Sequence, residues 1–155
     1  MKMNAKKGMM LGLALTASLF LVAPAIAHHS FAMFDQTKTV TVTGVAYSFV
    51  PQANHAEIHF YQIGDDGKLV KDKDGKNVDW GVEMAGAAAM ARQGITAEKF
   101  PKGTIFSVKV HPLRDGGSFG SLVGALAVCP WKKPPTPGKT CDTVEGHTII
   151  GNGGF

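Results

Sequence analysis

The sequence is short of the residues that announce familiar chemistry. It has only two cysteines and two tryptophans in 155 residues, and aromatic residues make up 8% of it. No glycine-rich loop of the phosphate-cradling kind is present, and Ser30 has no nucleophile motif around it. Asp35, Glu57, Asp79 and Glu83 form no recognisable acid–base pair. These absences leave hydrolases and nucleotide-dependent enzymes without support, and the chain is read as a binding protein rather than an enzyme. It also lacks an apolar run of the ~20 residues that a membrane-spanning helix needs.

Net charge is scarce as well. The formal charge is +4, but Lys2, Lys6 and Lys7 all precede the uncharged run Gly8 to Val22, "GMMLGLALTASLFLV". A basic start, a short apolar stretch and the small-x-small pattern Ala25-Ile26-Ala27 describe a secretory signal peptide. Cleavage between Ala27 and His28 would remove residues 1–27, leave 128 residues and reduce the charge to +1. Nucleic acid and anionic membrane surfaces thereby lose their main attraction as partners. The expected location is periplasmic or secreted, with no membrane span after processing.

Export places Cys129 and Cys141 in an oxidising compartment. They bracket the proline-rich "PWKKPPTPGKT", so a disulfide closing this loop is expected, worth roughly 3 kcal/mol for a loop of this length. The spacing matches no zinc pattern.

β-Branched and aromatic residues dominate Val40 to Val50, which reads as a strand with Gly44 at a bend or bulge. His55 to Ile63 reads as a second strand, and two Asp-Gly pairs follow in an exposed hairpin excursion. Val78 to Met84 gives a third strand. The alanine-rich Met84–Gly94 gives a helix stopped by Gly94, and Thr96-Ala97-Glu98 a further helical turn. "TIFSVKVHPL" and "SLVGALAVC" supply strands four and five, and the tail an edge strand. This order predicts a mainly β protein: a small five- or six-stranded OB-like barrel with one short helix between strands three and four. A simple open α+β sheet fits the same string. The barrel domain is assigned to residues 28–128 and a disulfide-closed extension to 129–155.

What the chain does have is histidine, placed with a pattern. All six histidines follow the leader, and two of them, His28 and His29, stand directly behind the cleavage site. Cleavage would give His28 a free α-amine, which with its own Nδ1 can chelate a metal. A further imidazole would complete an all-nitrogen set suited to Cu(II). Because amine and imidazole must shed protons, binding would weaken in acid. A cut after Ala25 would instead place histidine third from the amine, another copper-binding pattern. The plain alternative is an inconsequential terminus.

His55, Glu57 and His59 alternate on the second strand and would share a face. His55 or His59 is therefore the candidate third ligand, and Glu57 a group that orients an imidazole. The plain reading of the same row is a solvent-facing polar face opposite Ala56, Ile58 and Phe60. His29 and His111 are alternates, and His147 is expected to be exposed. Met33, Met84 and Met90 read as core filler rather than Cu(I) ligands. Trp80 reads as core, although with Trp131 it could form a stacking surface.

The segments "AHHSFAMFD", "VTVTGVAYSFVPQANHAEIHF", "VDWGVEMAGAAAMARQGIT", "FPKGTIFSVKVHPLRDGG" and "LVGALAV" together resemble a family of small exported bacterial proteins known only as a domain of unknown function. The family commonly carries Asn-Pro-His where this chain reads Ala53-Asn54-His55. The resemblance implies a compact, largely β exported domain and no established activity. Separately, a His28 terminus is similar to the histidine brace of periplasmic copper-resistance proteins and copper monooxygenases. The expected function is thus a periplasmic copper buffer or carrier. The alternatives are a non-catalytic OB-like module for a peptide, glycan or periplasmic protein partner, and a copper oxidase or monooxygenase.

Overall fold

The computed structural model describes residues 32–152. Six strands follow in order: β1 (Val40–Val50), β2 (Glu57–Ile63), β3 (Asp79–Glu83), β4 (Ile105–Pro112), β5 (Phe119–Val128) and β6 (Thr148–Ile150). One short helix, α1 (Ala87–Arg92), lies between β3 and β4. Antiparallel pairings run β3-β2-β1-β4-β5-β6, and a parallel pairing of β3 with β5 closes the first five strands into a barrel. This is the OB-like arrangement expected from the strand order, with β6 added outside it. Closure excludes the open sheet.

Alternation decides which side chains fill the barrel. Val42, Ala46, Ile58, Phe60, Val82, Phe106, Val108, Val110 and Leu122 point inward and are buried. The rings of Phe60, Phe100 and Phe106 meet edge to face at 4.9 and 5.4 Å between centroids, a geometry that adds to the burial of their apolar area. Met84 and Met90 belong to this core, as expected, whereas Met33 is 46% exposed and does not. Trp80, the cross-strand partner of Phe60, packs against the core and donates from its indole N–H to Gln62.

Several local expectations are corrected. Gly44 is not the bulge of β1. The irregularity lies between Ala46 and Ser48, and Gly44 is instead where the Phe60 ring meets the backbone, since a Cβ there would lie 2.1 Å from it. The second strand starts at Glu57, so His55 precedes it. Thr96–Glu98 does make the expected helical turn, with Lys99 N–H donating to Thr96 and Phe100 N–H to Ala97, and Pro101 keeps it from propagating. The helix does stop where expected, with Gly94 at φ 77°.

The segment after β5 covers one outer side of the barrel. Cys129 and Cys141 are disulfide-bonded, and with Ala127, Val144 and Ile105 they form a second small core. Beneath it, Thr43 and Ser107 hydroxyls are 2.7 Å apart, and Ser107 Oγ accepts from the Cys141 N–H. The outer face of β2, β3 and the start of β5 is largely half-buried, with Phe34 packed on Phe119 at its edge.

Candidate functional site

Register assembles two rows of side chains on that face. Glu57 of β2 lies opposite Glu83 of β3, which lies opposite Ser121 of β5, which lies opposite His111 of β4. One step along, His59 lies opposite Gly81, and Gly81 opposite Phe119. Gly81 is required: a Cβ there would fall 2.4 Å from the Phe119 ring and 3.4 Å from His59 Cε1. The missing side chain leaves that space to the Phe119 ring.

Each histidine of the face has one ring nitrogen engaged. His59 Nε2 lies 3.0 Å from Glu57 Oε2. A carboxylate only accepts, so Nε2–H donates, and in the neutral ring Nδ1 carries the lone pair. His55, in the loop before β2, places Nδ1 3.4 Å from Glu83 Oε1. His111 Nδ1 donates to the Lys38 carbonyl at 2.7 Å, which leaves Nε2 as the acceptor. An imidazole whose second nitrogen is held by a carboxylate or carbonyl is in the state that a metal ligand usually requires.

The two carboxylates face each other with no lysine or arginine paired to either among the described residues. Burial raises the Glu83 carboxyl above its ordinary value, His55 opposes the shift and Glu57 adds to it. Like charges directly opposite on adjacent strands destabilise the pair. Farther along the face, the Tyr47 and Tyr61 rings stack at 4.7 Å, and the Tyr47 hydroxyl donates to Asp79 at 2.7 Å. Burial, then that hydrogen bond, pushes the Tyr47 phenol well up.

A pocket of about 180 Å³ opens beside His55 and Glu83. Its walls come from Asn54, Met84, Gly86 and Ser121 as well as these two. The loops that form it are laced together: Ala56 N–H donates to the Ala85 carbonyl, Met84 N–H to Ala56 and Ala87 N–H to Gln52.

The N-terminal segment is anchored next to this face. Phe34 is fully buried, bridges to Leu113 and stacks on Phe119 at 6.1 Å. Arg114 donates through its backbone N–H to Met33 and through Nε to Ala32. Asp35 ends the anchor, accepting from Thr37 and pairing with Lys38 at 3.1 Å. The Thr37 hydrogen bond first, and Lys38 second, hold its carboxyl at about 2, below the usual 3.8. The stability this lowering contributes is fully present above pH 3.8 and is lost as pH falls through about 2. Urea midpoints of wild type and Asp35→Asn should therefore differ at pH 5 and converge as pH approaches 2. A gap that stays constant across this range would show that Asp35 acts through something other than its charge.

Of the expected ligands, the structure brings His55, Glu57 and His59 to one region and leaves His111 two strands away on the same side. His28 and His29, and the proposed cleavage point after Ala27, lie outside the described residues. No group of three or more histidine, cysteine, aspartate or glutamate side chains placed to hold a metal occurs among the described residues. His147 is half-buried rather than exposed, because Nδ1 donates to the Val144 carbonyl at 2.8 Å. Sequence reasoning passed over Ser121 and gave Glu83 no role, since their places depend on the β3–β5 pairing, which joins strands far apart in the chain.

A closed OB-like barrel of this kind is compatible with a small binding module. The chain belongs to a family of unknown function (DUF6152), whose model matches residues 17–122. The disulfide segment lies beyond the matched region. No curated protein and no solved structure matches the chain.

Proposed function

We propose that the chain is exported, cleaved after Ala27, and binds one Cu(II) ion as a periplasmic buffer or carrier. The ligands of this reading are the α-amine and imidazole of His28 together with His59 Nδ1, with Glu57 fixing the His59 ring. His55 is the alternate to His59. His29 and His111 remain candidates for a further position.

The observation that carries the reading is the anchoring of the N-terminal segment beside a carboxylate-oriented histidine. Phe34 is tied through Phe119 to the backbone at Gly81, which adjoins His59. Nitrogen donors of this kind suit Cu(II), which heads the divalent affinity order. The reading draws its remaining ligands from the N-terminal nitrogens, since no group of three or more donors placed to hold a metal occurs among the described residues. The disulfide fits an oxidising compartment, and no helix among the described residues is long and apolar enough to cross a membrane.

The test uses the processed protein, with its N-terminus verified by mass spectrometry. One equivalent of Cu(II) should give a single nitrogen-rich EPR species. Glu57→Gln should weaken Cu(II) binding about tenfold or more in chelator competition, and a single glycine added ahead of His28 should weaken it further. If that extension leaves both affinity and spectrum unchanged, the N-terminal site is wrong.

A further inference from the structure

The pocket beside Glu83 contains a feature that the copper reading does not use. Ser121 is only 3% exposed, lines the pocket, and its hydroxyl has no hydrogen-bond partner among the described residues. Its Oγ is open to the pocket rather than sealed, since no enclosed side-chain oxygen among the described residues lacks a partner. Next to it across the β3–β5 pairing lies the Glu83 carboxylate, itself opposite Glu57, with no strong cation to balance either. An acceptor-rich, negatively charged end thus meets walls of Met84, Ala85 and Gly86.

We infer that this pocket binds a small organic cation, a primary alkylammonium group, with Glu83 and Ser121 accepting from its N–H donors and Met84 and Ala85 contacting its carbon chain. Its charge would relieve the repulsion between Glu57 and Glu83. The pocket, about 180 Å³, is well above the ~10–15 Å³ that one water needs. That is too roomy for a bare metal ion but fits a short chain with its nitrogen at the polar end. A metal would also want more ligands than the pocket offers, since only His55 and Glu83 of its lining are strong donors. The site is already shaped: a Cβ at Gly86 would lie 2.1 Å from the Ala53 carbonyl, so the two loops are in contact before anything binds. His55, 3.4 Å from Glu83, covers the carboxylate and would have to yield part of that contact.

The inference does not depend on copper, and its test is run in chelator. Amide chemical shifts of the 15N-labelled processed protein are followed during titration with n-propylammonium chloride. 1-Propanol serves as the neutral analogue, sodium chloride as the ionic-strength control and tetramethylammonium as a cation without N–H donors. Saturable shifts confined to residues 54–56, 83–87 and 121 are expected with propylammonium alone. Glu83→Gln should weaken binding at least tenfold and Ser121→Ala about threefold, each variant first showing the wild-type amide pattern elsewhere. Equal shifts with propanol or tetramethylammonium would overturn the assignment. So would shifts that survive Glu83→Gln, or a response of these residues to Zn(II) in chelator-free buffer with none to propylammonium.

Discussion

Phe60→Ala is expected to destabilise the barrel by about 3–5 kcal/mol, the cost of emptying a buried aromatic position. Phe60 is fully buried, stands on β2 between His59 and Tyr61, touches the bare backbone at Gly44 and packs edge to face on Phe106. No neighbour can move in easily, because the strand that would have to shift is hydrogen-bonded on both edges. For a domain of this size the loss corresponds to roughly 12–20 °C in Tm. Calorimetry and urea unfolding would measure it, and a loss under 1 kcal/mol would mean that the core around Phe60 is not packed as described. The functional reach of the change is direct. The register that turns Ile58 and Phe60 inward is the same register that turns Glu57 and His59 outward.

Replacing Cys129 and Cys141 together by alanine is expected to cost about 2–5 kcal/mol. The bond closes a loop of twelve residues' separation, and Cys141 is fully buried over Ser107. The damage should stay on the covered side, since the small core of Ala127, Val144 and Ile105 is separate from the barrel interior. Amide spectra of the double variant should show changes at residues 127–150 and near-native positions at 55–60 and 81–84. Urea midpoints before and after reduction of the wild type provide the same comparison without mutation. Equal midpoints would show that the cross-link adds nothing to stability.

Strand order and the turn chemistry were legible in the sequence because they are local. Alternation marked β1, β2, β4 and β5, Gly94 marked the end of α1, and the proline-rich loop marked its disulfide. Glu57 beside His59 was legible for the same reason, as residues two apart on a strand share a face. His55 was placed on that strand because its own residue type gives no sign that pairing begins two positions later. The roles of Gly44, Gly81 and Ser121 could not be read, because each is set by a ring or strand distant in sequence. The two loops around Gly86 were similarly hidden: nothing local says that Ala53 will press against it.

The parallel pairing that closes the barrel is only three rungs long: Gly81 with Phe119, Val82 with Gly120 and Glu83 with Ser121. Short pairings are where a β structure breathes first. Glu83 and Ser121 are the last of these rungs, one on each side of the seam. A molecule held by both would therefore act as a clasp, adding its binding free energy to closure of the barrel. Occupancy would then be felt as slower amide exchange along β3 and β5, far beyond the atoms it touches.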